Sequence, residues 1–76
     1  MKFNYDKETD ALYINFVDAK GVDSYEISPD YIVDLDDKGN LIGIEVLNVQ
    51  NKVDFKQIIF NQIPINDIRF INQSVL

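Results

Sequence analysis

Tyr31-Ile32-Val33-Asp34-Leu35-Asp36-Asp37-Lys38-Gly39-Asn40-Leu41-Ile42-Gly43-Ile44-Glu45-Val46-Leu47 decides how this chain folds. Two apolar runs flank a short polar loop, and each run alternates. Tyr31, Val33 and Leu35 recur at every second position, as do Ile42, Ile44 and Val46. Side chains along a strand point to opposite faces in turn, so this period puts each set on one face of a β-sheet. The loop Asp36–Asn40 carries its glycine late, which suits a hairpin with a type I turn and a bulge at Gly39. Gly43 lies opposite the apolar set of its strand. A glycine there marks a bulge or a close backbone approach.

Outward from this hairpin the same pattern continues. Residues 22–27 form a weaker strand in which Tyr25 and Ile27 share a face, and Ser28-Pro29-Asp30 ends it because proline cannot donate to a ladder. Asp18-Ala19-Lys20-Gly21 reads as a turn in which Gly21 can take positive φ without strain. Residues 11–17 are rich in aromatic and branched side chains, with Leu12, Ile14 and Phe16 on one face. Asp6-Lys7-Glu8-Thr9-Asp10 is a polar turn, and Phe3 and Tyr5 begin a short first strand. No connection is long enough for a crossover helix, so the strands must pair antiparallel as a meander.

After Asn48 the period changes. Phe55, Ile58, Ile59 and Ile63 fall on one helical face, with Asn51 as a cap, Asp54 near the N-terminal dipole and Pro64 as the stop. A helix over residues 51–63 would cover the apolar face of the sheet. The expected fold class is therefore α+β: an antiparallel β-meander of four to five strands with one C-terminal helix packed on a face. Residues 64–76 form an apolar tail, readable either as a helical stripe through Ile65, Ile68, Ile71 and Val75 or as a strand through Ile68 and Phe70.

The 76 residues suffice for one domain, taken as 1–76. There is no cysteine and no histidine, which removes disulfides, thiol nucleophiles, the commonest general base and the commonest transition-metal ligand. Net charge is −6, and residues 1–50 hold eleven acids against four lysines. Seven scattered basic residues make no stripe along a phosphate backbone, so direct nucleic-acid binding is not expected. No apolar run is long enough for a membrane span or a signal peptide, and a cytoplasmic location follows as the default.

Candidate chemistry is thin. Asp34, Asp36, Gly39 and Glu45 occupy positions 1, 3, 6 and 12 of a calcium-loop pattern, but Lys38 stands where the metal needs an oxygen, and strands stand where an EF-hand has helices. A hairpin turn needs the same acids and glycine for its own reasons. Asp36-Asp37 points two adjacent carboxylates apart into solvent, and no serine or threonine has a base to activate it. The reading is of no catalytic residue and no cofactor, with Asp34, Asp36 and Glu45 as weak metal candidates. Tyr13, Val17, Ile32, Leu41 and Leu47 lie opposite the core face and suggest a binding or dimerisation surface.

Tyr5-Asp6-Lys7-Glu8-Thr9-Asp10-Ala11-Leu12-Tyr13-Ile14 resembles the opening of a small, mainly bacterial family known as domain of unknown function 2283. The resemblance runs on through Glu26-Ile27-Ser28-Pro29, Ile32-Val33-Asp34-Leu35-Asp36 and Gly39–Leu47, covering residues 3–50. It implies a β-meander followed by a helix and no defined activity. It also implies structural roles: Asp6 and Asp10 shaping a turn, Gly39 making a bulge, Gly43 admitting a close backbone. Members of that family often look like the small partner in a two-gene toxin–antitoxin arrangement. The functional expectation is thus a non-catalytic interaction module, antitoxin-like, with a small basic protein as partner and a homodimer as its assembly. The alternative is a metal-dependent or small-molecule-binding enzyme using the turn carboxylates.

Overall fold

The computed structural model describes residues 1–71. Five strands form one antiparallel sheet: β1 (Lys2–Asp6), β2 (Ala11–Asn15), β3 (Asp23–Ser28), β4 (Tyr31–Leu35) and β5 (Leu41–Val46). The expected meander is present with one departure. In space the order is β1-β2-β5-β4-β3, so β5 lies at the centre against both β2 and β4. Residues 16–22 carry the chain from β2 to the far edge, and β3, β4 and β5 then fold back toward it.

Local chemistry explains each turn. Asp6 accepts hydrogen bonds from the Glu8 amide at 3.0 Å and the Thr9 hydroxyl at 2.9 Å, and Asp10 leaves the turn at φ 52°. Pro29 and Asp30 join β3 to β4; proline pre-sets the first corner, and Asp30 tolerates its φ of 72°. In the β4–β5 loop, Asp36 binds the amides of Lys38 and Asn40, both at 2.8 Å, and Gly39 takes φ 82° as the bulge requires. Gly21 does not adopt the positive φ open to it; a Cβ there would lie 3.2 Å from the Asp34 Cβ.

Register sorts the sheet into cross-strand rows. On one face Tyr5, Leu12, Val46 and Tyr31 form a row, and Phe3, Ile14, Ile44, Val33 and Tyr25 form the next. The core sits here: Leu12, Val46 and Val49 pack together, with Ile14, Tyr31 and Ile44 against them. Val49, wholly buried, belongs to a single 3-10 turn, Val49–Asn51, that folds over the end of this face. Its docking is held from a distance. The Asp10 carbonyl accepts the Val49 amide at 3.1 Å, and the Asp10 carboxylate accepts the Gln50 amide at 3.4 Å.

The helix expected over 51–63 does not form, and the α+β assignment is corrected to all-β. The 3-10 turn is the only helical element among the described residues, and 52–71 hold neither helix nor strand. Asn51 ends that turn where it had been expected to cap a helix. Three features oppose the helix. Residues 53–63 mix β-branched, aromatic and amide side chains with no alanine or leucine. The Asp54 carboxylate takes the Lys56 amide at 2.9 Å, a local turn that competes with the helical ladder. Gln62 sits at φ 58°, and Ile63 precedes Pro64, so both break the last turn. Helices in proteins draw most of their stability from packing, and Phe55, Ile58, Ile59 and Ile63 are exposed. Neither reading of residues 65–71, helix or strand, is realised. Val75 and Leu76 of the expected tail lie outside the described residues.

Candidate functional site

The apolar face of the sheet is only partly covered. Beyond the 3-10 turn the chain runs alongside it: Phe55 meets Tyr5 with ring centroids 5.8 Å apart, and Lys52 bonds Asp30 at 2.9 Å while lying 5.9 Å from the Tyr31 ring. Between sheet and segment lies one open concavity of 2550 Å³. Its floor is Phe3, Tyr5, Leu12, Ile14 and Val46, and its far wall is built from Val53, Phe55, Ile58, Phe60 and the stretch Ile65–Ile71. Small-molecule pockets span roughly 300–1,000 Å³ and enclose their ligands, so this open trough suits a polypeptide segment better.

Charge around the concavity opposes that of the whole chain. Lys2, Lys7, Lys52, Lys56 and Arg69 line it, five of the seven basic residues, against only Asp54 and Asp67 of the thirteen acids. Part of this charge is already paired, since Arg69 bonds Asp67 at 2.7 Å and Lys52 bonds Asp30. The hydrogen bond from Lys52, with a smaller one from Asn48, holds the Asp30 carboxyl below its ordinary range. Eleven acids are left on the remaining surface.

The opposite face carries an ordered polar clamp. Lys2, Asn15, Gly43, Asp34 and Ser24 form one cross-strand row, with Asn4, Tyr13, Glu45, Ile32 and Glu26 beside it. Tyr13 leans over Gly43 and donates to Asp34 at 2.7 Å, while Ser24 donates to the other Asp34 oxygen at 2.5 Å. A Cβ on Gly43 would stand 2.6 Å from the Tyr13 hydroxyl and 2.7 Å from the Ile14 carbonyl oxygen. The close approach expected at this glycine is real, and a phenol as well as backbone makes it. Bonding to Asp34, with burial adding, pushes the Tyr13 hydroxyl up from its ordinary value. That disfavours the phenolate, so the clamp ties β2, β4 and β3 together without creating a base.

The weak metal candidates do not converge. Asp34 is held by Tyr13 and Ser24, Asp36 closes its own loop, and Glu45 sits between Tyr13 and Ile32 in another row. Asn40, through its side chain and then its amide, keeps Asp36 below the usual carboxylate range. Among the described residues no three carboxylates gather as a cation site. Of the second-face patch expected from sequence, Tyr13 is engaged by Asp34 and Ile32 and Leu47 are half-buried, so only Val17 and Leu41 stand exposed. The larger apolar surface lies on the other face.

Sequence reading missed the network centred on Tyr5. The Tyr5 hydroxyl donates to Asp10 at 2.8 Å and accepts from the Gln50 side-chain Nε2 at 2.7 Å. Its partners are forty residues apart in the chain, and no local spacing announces such a contact. The one available signal was Asp10 at the end of a turn, where a positive φ is tolerated.

No described helix is long and apolar enough to cross a membrane. No curated protein and no solved structure matches the chain. A family model does, over residues 2–50, a span that takes in all five strands and the anchor of the 3-10 turn. The chain therefore belongs to the family described as protein of unknown function (DUF2283).

Proposed function

We propose that this protein is a non-catalytic, cytoplasmic interaction module whose apolar face is completed by a partner protein. One observation carries this reading. Among the described residues five apolar side chains are buried, and eighteen large ones are exposed. Exposed apolar residues scattered singly are ordinary, but here they are concentrated along the 52–71 segment and the sheet floor it faces. A sheet normally buries one face against a second layer, and among the described residues this one lacks most of that layer. Asp34 and Asp36 are each engaged by neighbouring groups and Glu45 lies in a different cross-strand row from Asp34, which favours binding over metal-assisted chemistry.

The narrower form of the proposal is an antitoxin-like role beside a small basic protein. Its support is the acidity of the surface outside the concavity, which would steer and hold a basic partner, while the trough takes an apolar segment of it. Co-expression with the product of the neighbouring gene, followed by pull-down at low and moderate salt, tests this. A complex at low salt that Ile58→Asp abolishes is the expected result. Ile58 lines the trough and is 62% exposed, so that change leaves the fold intact. No complex at low salt, where steering is strongest, refutes the partner reading.

A further inference from the structure

The two edges of the sheet are built differently, and one of them is complementary to itself. We infer that β1 pairs antiparallel with β1 of a second copy about a twofold axis through Asn4, joining two sheets into one of ten strands. Among the described residues Lys2-Phe3-Asn4-Tyr5-Asp6 pairs with β2 alone. No backbone hydrogen bond reaches its outer edge among the described residues, and all five residues are exposed. An unpaired edge is a template for another strand.

Antiparallel pairing about Asn4 places Lys2 opposite Asp6 of the second copy, and Asp6 opposite its Lys2. By register both pairs lie on the face opposite Phe3 and Tyr5, with Asn4 facing Asn4 between them, and Lys2 reaches the concavity only at its rim along this edge. On the other face Phe3 meets Tyr5 of the second copy twice. These are the pair types that stabilise neighbouring strands, opposite charges and aromatic pairs directly across. Asp6 accepts from the Glu8 amide and the Thr9 hydroxyl and meets no cation of its own copy among the described residues. Phe3 and Tyr5 also belong to the floor of the concavity, so the pairing would run two troughs into one continuous apolar surface.

The opposite edge refuses the same operation. In β3, Asp23 and Glu26 have no cation on their strand, so self-pairing would gather four acids along one seam. Its ladder to β4 also shifts register between Glu26 and Ser28, a distortion that spoils a straight edge. Charge and regularity together select β1, and they select a second copy of this chain as its occupant.

The absence of cysteine makes the test direct. Residues directly opposite in an antiparallel pair have Cα atoms ~4.5–5.5 Å apart, within disulfide reach. Asn4→Cys in the full chain should give nearly complete covalent dimer under mild oxidation. Lys2→Cys should not, because the two copies of residue 2 stand about 14 Å apart in this register at ~3.4 Å per residue. Independently, Lys2→Glu places like charges across both pairs and should weaken dimerisation roughly fivefold by sedimentation. A monomer at high micromolar concentration by light scattering overturns the inference. So does equal cross-linking of Asn4→Cys and Lys2→Cys, or a dimer indifferent to Lys2→Glu at low salt.

Discussion

Residues 2–51 and residues 52–71 are almost equally rich in apolar side chains, yet only the first stretch folds into regular structure. In the first, apolar residues recur with period two and the polar ones between them make turns. In the second, a period near that of a helix is present, but Asp54 turns the chain locally and Gln62 and Pro64 break it. The comparison shows that apolar content alone does not order a chain. Alternation gives each strand a neighbour for its backbone groups as well as its side chains, whereas a helical stripe needs a surface already waiting for it. Here that surface is offered by the sheet floor, but the 52–71 segment forms a wall beside it and does not lie down on it.

The largest effect should come from the sheet interior. Ile42 is 2% exposed, and Ile42→Ala should cost about 2–5 kcal/mol in urea unfolding, whereas Ile59→Ala should stay within about 0.5 kcal/mol. Equal losses at the two positions would break the contrast between the regions.

Gly43→Ala comes next. The added methyl would collide with the Ile14 carbonyl oxygen, which cannot move without the strand, so a loss of about 1–3 kcal/mol is expected. Tyr13→Phe relieves only the phenol side of that clash. Gly43→Ala should therefore cost less in the Tyr13→Phe background than alone, and an equal cost in both backgrounds means the phenol takes no part in the close approach.

At Gly39 an added Cβ would meet nothing within 4 Å, so the cost of Gly39→Ala is conformational only, about 1–2 kcal/mol for a left-handed residue. It should raise the unfolding rate or slow folding without altering the sheet register, which amide exchange would check.

The smallest effect sharpens the comparison through pH. Asp36 is held below its ordinary 3.8 by Asn40 and the loop amides, so its contribution is complete above that value and is lost as pH falls through the lowered folded value. Asp36→Asn should lower stability at neutral pH, where the contribution is complete, and flatten the acid limb of the profile below about pH 4, where the unaltered protein has lost it too. Asp67 in the second region bonds an exposed arginine, and Asp67→Asn should change neutral-pH stability by less than about 0.5 kcal/mol in urea unfolding.

Much of the sheet was legible because its information is local. The alternations at 11–17, 31–35 and 41–47 placed β2, β4 and β5 within two residues of their ends, and the acids of Asp36–Asn40 announced their own turn. Gly43 was readable as a site of close approach, though not that Tyr13 would lie across it to reach Asp34. The candidate site was much less visible. The concavity depends on where 52–71 runs relative to β1, and the contacts that start it there, Lys52 to Asp30 and Val49 to Asp10, join residues twenty to forty positions apart.

By itself, then, the sequence determined the strands, their faces, their turns and the exclusion of histidine and cysteine chemistry, because side-chain period and backbone preference act between near neighbours. Tertiary structure alone decided three things. It inserted β5 between β2 and β4, since strand order follows from which edges meet and no local pattern encodes that. It left the apolar stripe of residues 51–63, already opposed by the local breaks at Asp54, Gln62 and Pro64, without a surface to pack on. And it gathered five cations around an apolar trough in an acidic chain, because residues from both ends of the sequence meet there only after the sheet has formed.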